Sequence, residues 1–143
     1  MSINGEDIKV VHVSDTTTLA SGGTASLTTA EIDTLGFDFV TIAVSTGTIA
    51  SGGEVSVLKV QESDTSGSGF ADVADAGADP IGDADDDGVY YFRLNLEGKK
   101  RYLDVVASTD ETANTIIKSV VAVLSNGDAS PLDSSNYIGL TTA

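Results

Sequence analysis

The chain has 143 residues and a formal net charge of −15, from 22 acidic and 7 basic side chains, with no cysteine and one histidine. This length suits one domain, in which folding buries roughly two-thirds of the surface of the extended chain. The composition excludes disulfides, thiolate nucleophiles and cysteine-ligated metals, leaves little material for a zinc site or a serine-protease triad, and disfavours binding to nucleic acid or to a membrane.

No apolar run approaches the ~20 residues that a membrane-spanning helix needs. The N-terminal sequence MSINGEDIKVVHV lacks the basic, apolar and small-residue segments of a signal peptide. We therefore expect a protein that is made and kept without export and has no membrane contact.

The first predicted elements are short. Residues 7–13 predict a strand, and His12 is expected to lie on a face or edge of that strand because no second histidine can join it in a site. Gly22 and Gly23 predict a tight turn. Residues 27–36 predict one or two helical turns, because the segment begins with threonine caps, carries acids in its first turn and ends at a glycine.

The centre of the chain predicts a β-hairpin. Residues 37–62 contain two β-rich runs joined by a loop of Gly, Ser, Thr and Ala. In the second run Val55 and Val57 have one parity while Leu58 and Val60 have the other. This change of phase predicts a β-bulge near Val57 and Leu58.

A long Gly- and Asp-rich connection follows at residues 61–88, and Phe70 and Val73 are expected to fix its middle to the core as a short strand. Residues 89–96 alternate between apolar and polar side chains, and with residues 101–107 they predict a second hairpin. The residues expected to point inward are Tyr90, Phe92, Leu94, Leu96, Leu103, Val105 and Ala107.

Residues 115–124 predict the last long strand, apolar on both faces. The polar tail that follows is either frayed or an arm whose apolar residues dock on its own domain or on a neighbour. Those apolar residues are Leu132, Tyr137, Ile138 and Leu140. The predicted organisation is a domain at 1–124 with a short N-terminal arm, followed by a C-terminal arm at 125–143.

The predicted fold is all-β. About seven or eight strands, with turn signals every ~8–14 residues, little helix and no repeat, predict an antiparallel β-sandwich or a jelly-roll-like barrel with extended terminal arms. Strands that are apolar on both faces are common where subunits pack together. We therefore also expect an oligomer.

The most acidic segment resembles the start of a calcium loop, with Asp83, Asp85, Asp87 and Gly88 at the opening positions of an EF-hand. The twelfth position is Leu94, where an EF-hand needs a glutamate, and the flanks predict strands. The EF-hand interpretation therefore fails. A looser calcium site and a solvated acidic loop both stay open.

No residues offer an activated nucleophile, and no tryptophan exists to form a sugar-binding platform, so we expect no catalytic residue and no cofactor. Lys99, Lys100 and Arg101 form the one basic cluster of the sequence. The cluster is either a solvated turn or a docking point for an acidic partner surface. With the four apolar residues of the C-terminal tail, these three are the candidate partner-binding residues.

Several motifs between residues 37 and 124 resemble one family. They are the strand end Gly47-Thr48-Ile49, the strand VLKVQESD at 57–64, the step Phe70-x-Asp72-Val73, and the strand start Lys100-Arg101-Tyr102-Leu103. In these motifs the sequence is similar to the small virion proteins of tailed-phage head modules, the capsid decoration or cement proteins.

The resemblance implies a non-enzymatic viral structural protein that is made in the host cytoplasm and lies on the outer capsid surface of the virion. It implies binding to the major capsid protein, often as a homotrimer, and stabilisation of contacts between capsomers. The alternative is a phage tail, fibre or cell-surface β-module that binds a carbohydrate or a host ligand, with calcium at the acidic loop.

Overall fold

The computed structural model describes residues 8–20, 25–109 and 114–125, together with the backbone of 137–142. Over these ranges the chain forms twelve strands and one 3-10 turn at Asp83–Asp85, with no α-helix. The strands form two antiparallel sheets that pack against each other, which confirms the predicted all-β sandwich. No helix in the described ranges is long and apolar enough to cross a membrane.

Each sheet has six strands. Sheet A contains, in spatial order, β1 (Ile8–Ser14), β11 (Thr115–Ser125), β5 (Phe39–Ile49), β9 (Gly88–Asn95) and β12 (Tyr137–Thr142), with β2 (Thr17–Leu19) also paired to β11. Sheet B contains β3 (Ser26–Thr28), β10 (Tyr102–Thr109), β6 (Glu54–Ser63) and β7 (Ala71–Gly77), with β4 (Ile32–Asp33) paired to β10 and β8 (Ile81–Gly82) paired to β6.

The core lies between the two sheets and is built from alternate residues of the long strands. Phe92 and Ile42 of sheet A are fully buried, as are Leu103 and Val60 of sheet B. Burying a side chain of this size stabilises the fold by about 1.5–3 kcal/mol. The predicted inward residues of β9 and β10 are buried, except for Leu96, which packs against the core with part of its surface exposed.

Both predicted hairpins are wrong. β5 belongs to sheet A and β6 to sheet B, so the connection between them crosses from one sheet to the other. The same holds for β9 and β10. Alternation along a strand predicts which side chains face the core, but it does not say which strand is the hydrogen-bonded neighbour. Here β5 pairs with β11 and β9, which are distant in sequence and supply long apolar partners.

The predicted helix at 27–36 is also wrong. Strands β3 and β4 both pair with β10, and Thr29 continues this pairing between them. The Thr29 backbone N–H donates to the Val105 carbonyl, and the Val105 N–H donates to Thr29 Oγ1, each at 3.0 Å. The segment therefore pairs with the open edge of β10, because the backbone N–H and C=O groups at that edge need hydrogen-bond partners. Gly36, the predicted helix end, instead lies in a turn with φ +89°.

Other local predictions are confirmed. β7 forms where a short strand fixed by Phe70 and Val73 was expected, and Val73 is buried, but Phe70 lies just before the strand and is not part of the core. The pairing of β6 with β10 shifts register at Ser56, which places the β-bulge one residue before the predicted pair. The predicted turn at Gly22 and Gly23 lies outside the described residues, and so does Leu132.

The C-terminal tail contains a strand of the sandwich. β12 pairs antiparallel with β9, with Tyr137 in register with Arg93 and Leu140 in register with Tyr90. The tail therefore reaches its own domain through backbone hydrogen bonds.

Candidate functional site

Three surfaces of the sandwich bear on function: the basic turn (Lys99, Lys100 and Arg101), the acidic loop (residues 83–88) and the outer face of sheet A. The basic turn lies where the chain crosses from β9 to β10. The acidic loop lies at the other end of β9, which runs between them. The sandwich thus carries its basic cluster and its most acidic segment at opposite ends.

Arg101 of the basic turn is bound to the domain itself. Its Nε and NH2 donate to the two carboxylate oxygens of Asp33 at 2.9 and 2.8 Å. The bond from Arg101, followed by one from the Leu35 backbone N–H, lowers the pKa of Asp33 to about 2. Arg101 therefore links the start of β10 to β4. The side chains of Arg101 and Asp33 are each more than two-fifths exposed.

The two lysines of the basic turn are less engaged. Lys100 Nζ lies 4.0 Å from a carboxylate oxygen of Asp64, at the limit of an ion pair, and its backbone N–H donates to Glu62 at 3.0 Å. Lys99 makes no ion pair with a residue in the part of the chain that the structure describes. The ammonium groups of these lysines are the charges of the turn that no short ion pair with a described residue engages.

The basic turn lies beside the points where the chain leaves the described sandwich. The Leu96 N–H donates to the Asp38 carbonyl at 2.9 Å, and the Asp38 N–H donates to the Ser125 carbonyl at 3.0 Å. Ile8, the first described residue, is in register with Ser125. The turn and the segments that lead to residues 1–7 and 126–136 therefore share one end of sheet A.

The acidic loop is held to the connection between β5 and β6. A carboxylate oxygen of Asp83 accepts the Gly52 N–H at 3.1 Å, and one of Asp86 accepts the Ile49 N–H at 3.3 Å. These bonds fix the crossing between the sheets. They give two of the four carboxylates a structural role that the sequence pattern does not reveal.

One further carboxylate and one backbone carbonyl of the loop are also engaged. Asp87 Oδ1 lies 3.0 Å from Lys118 Nζ, and the Asp85 carbonyl accepts the Tyr90 hydroxyl at 3.1 Å. Among the described residues no group of three or more His, Cys, Asp or Glu side chains is placed to hold a metal ion. The structure thus brings Asp83, Asp86 and Asp87 to backbone and lysine donors and not to a common point.

The outer face of sheet A, here called face A, runs across four strands. The cross-strand register places its residues in rows, because paired residues of antiparallel strands point to the same side. The rows are Ile8, Ser125, Phe39 and Asn95; Val10, Val123, Thr41 and Arg93; His12, Val121, Ala43 and Tyr91; and Ser119, Ser45 and Val89.

Face A contains no aspartate or glutamate among these described positions, although the chain has 22. It is also substantially apolar: Val10 is 66% exposed and Ile8 39% exposed. Two acids at its margin each contact a base, Asp15 with His12 at 2.9 Å and Asp87 with Lys118 at 3.0 Å. Such a surface is typical of a protein contact.

The outer face of sheet B differs, because it carries a buried carboxyl. Asp104 is 4% exposed, and its Oδ1 has no hydrogen-bond partner among the described residues. Burial, with a smaller contribution from the Glu31 carboxylate, raises the pKa of Asp104 to about 6. Glu31 accepts hydrogen bonds from Ser66 Oγ at 2.5 Å and from the Gly67 N–H at 3.0 Å. No pattern in the sequence indicates this buried carboxyl.

The fold and these surfaces define the class of protein as an acidic two-sheet β-sandwich with one acid-free face. No protein-family model matches the sequence, and no curated protein matches it.

Proposed function

We propose that this protein is a non-enzymatic decoration (cement) protein of a tailed-phage head. It binds the outside of the icosahedral shell through the major capsid protein and stabilises contacts between capsomers. The sequence resemblance over residues 37–124 supports this proposal. So does a sandwich in which several basic groups are held in ion pairs, as Lys59 is with Asp72 and Arg101 with Asp33, which suits a rigid binding module.

The observation that carries the proposal is the distribution of charge along the sandwich. In a chain of net charge −15, three of the seven basic residues lie together in the basic turn, beside the points where the chain leaves the described sandwich. The opposite end carries the acidic loop. The ammonium groups of Lys99 and Lys100 give an acidic molecule that approaches an acidic shell surface a local point of attraction, which orients the contact.

Binding at many symmetry-related positions makes weak single contacts sufficient. If the turn and the C-terminal tail contact adjacent capsomers, the second contact forms at a high effective concentration. Protein that binds only the assembled shell stabilises that state by mass action. The sandwich supplies the rigid spacer between the contacts.

The test is co-sedimentation of the purified protein with assembled empty shells that lack it. We expect the wild-type protein to sediment with the shells. The double variant Lys99→Ala/Lys100→Ala should bind at least tenfold more weakly, because about 1.4 kcal/mol of lost attraction changes an equilibrium constant by that factor. Neither ammonium group is needed for the fold, since neither has a short ion pair.

The matched control is Ser51→Asp/Ala84→Asp, which changes the net charge equally at the opposite, acidic end, where both residues are exposed. It should bind shells like the wild type. Equal binding of the lysine variant and the wild type would overturn the assigned contact. No sedimentation of the wild type with any shell would overturn the proposed function.

A further inference from the structure

We propose that face A binds the same face of a second copy of this chain, so that two molecules pack sheet against sheet. This inference does not rest on the proposed function. It rests on the charge, the exposure and the extent of face A.

The charge of the molecule favours this face for self-association. Two copies of a chain with net charge −15 repel each other over most of their surface. Across face A they bring no described carboxylate into contact, because the acids stop at its margin, where Asp15 and Asp87 are each next to a base. A basic partner protein would instead be drawn to the acidic remainder of the surface.

The composition of face A is that of an interface centre. Val10 and Ile8 are two of the three large apolar residues that the described part of the chain exposes. Arg93 lies against the ring of Tyr91, 5.9 Å from its centroid. Tyrosine and arginine are enriched among the residues that carry binding energy at protein interfaces, and aliphatic side chains such as Val10 and Ile8 add buried apolar area.

The extent of face A is adequate for a specific contact. Four strands about 4.8 Å apart and seven residues long give a planar footprint of roughly 450 Å² per molecule. The accessible surface of a pleated face exceeds its footprint, and specific interfaces begin at about 1,000 Å² in total. Two such faces packed about 10 Å apart would extend the sandwich into four layers.

The contact is self-complementary and therefore twofold. A face without described acids meets its copy with no repulsion between carboxylates, and an isologous contact closes at two molecules. The homotrimer implied by the sequence resemblance would need two different patches on each copy. Molecular mass in solution therefore separates the two expectations.

The first test is the mass of the purified protein by light scattering over a range of concentrations. The wild type should have the mass of a dimer, and Val10→Glu/Thr41→Glu should be a monomer with the circular dichroism of the wild type. The control Ser26→Glu/Thr28→Glu adds the same charge at exposed positions on sheet B and should stay dimeric. A wild-type monomer or trimer, or a dimeric Val10→Glu/Thr41→Glu, would overturn the proposal.

The second test uses the absence of cysteine from the chain. Ala43→Cys lies near the centre of face A, and a short bis-maleimide should link it into a covalent dimer. Thr28→Cys, on the outer face of sheet B, should link far less. Equal linkage of the two variants contradicts the proposal. Because neither test uses shells, a failure here and a failure of shell binding are separate results.

Discussion

Asp104 shows how one residue can work against the stability of its own fold. Its carboxyl is buried on the outer face of sheet B, and one of its oxygens has no hydrogen-bond partner in the part of the chain that the structure describes. Burial raises its pKa from 3.8 to about 6, so the folded protein binds a proton that the unfolded chain has already released between these values. The free energy of unfolding therefore falls as the pH rises from about 4 to about 6.

We predict that Asp104→Asn stabilises the protein at pH 7. The substitution removes a buried charge whose cost is about 1–3 kcal/mol, since each unit of pKa shift corresponds to about 1.4 kcal/mol. The difference from the wild type should disappear at about pH 3, below both pKa values, where the wild-type carboxyl is largely protonated in the folded and the unfolded state. Urea unfolding at about pH 3 and at pH 7 measures it.

Asp33 provides a control, because its pKa is shifted in the opposite direction to that of Asp104. The Arg101 guanidinium lowers the pKa of Asp33 to about 2, so this carboxylate stabilises the fold above pH 4 and the effect is lost as the pH falls toward 2. Asp33→Asn should destabilise the protein at pH 7. If both substitutions shift stability in the same direction, the assigned pKa shifts are wrong.

At the scale of elements, local hydrogen bonds continue the pairing of the sheets where regular strand pairing is interrupted. Between β3 and β4, Thr29 supplies both a backbone donor and a side-chain acceptor to Val105 of β10. The Thr29 side chain is buried, and Val105 is 1% exposed. If the Val105 N–H loses its acceptor, no water molecule replaces that acceptor at this depth, and the unpaired donor costs free energy.

We therefore predict that Thr29→Val destabilises the protein by about 1–3 kcal/mol, because it keeps the shape but removes the acceptor for the Val105 N–H. Thr28→Val, one residue earlier on an exposed position, should change stability by no more than about 0.5 kcal/mol. The midpoint of urea unfolding, with an unchanged slope, checks both. Equal midpoints for the two variants would contradict the role of Thr29.

The acidic loop allows a second prediction at this scale. Because carboxylates of Asp83, Asp86 and Asp87 already accept from N–H and ammonium groups, calcium should not raise the melting temperature relative to chelator. Calorimetry with millimolar calcium and with chelator measures this. A clear rise with calcium would favour the calcium-dependent adhesive module over a cement protein.

The sequence predicts the elements better than their arrangement. Phe92 and Leu94 alternate with polar residues, and this pattern alone predicts that they are buried. No local pattern indicates that β5 pairs with β11 and β9 across some 70 and 50 residues, since the partners are chosen by packing of the whole sheet. The helix at 27–36 failed for the same reason.

The candidate surfaces, too, are predictable from the sequence only in part. The run of Lys99, Lys100 and Arg101 is visible in the sequence, whereas the ion pair of Arg101 with Asp33 depends on the fold. The absence of acids from the described positions of face A becomes apparent only when the order of the four strands is known. The sequence indicates only that some strands are apolar on both sides.

At the scale of the whole molecule, the surface is divided by charge. The acidic loop and the basic turn lie at opposite ends, and face A between them carries no described acid. This division suits a protein that stays soluble through its acidic surface and associates through the basic turn and face A. A cement protein uses such contacts to hold a larger assembly together.

The most direct measurement of the central claim is the temperature at which phage heads are disrupted, with and without this protein bound. Heads assembled from the major capsid protein of the same phage should bind it and then be disrupted at a higher temperature than bare heads. Lys99→Ala/Lys100→Ala, added at the same concentration, should protect them less. Heads that bind the protein and are disrupted at the same temperature as bare heads would contradict the account.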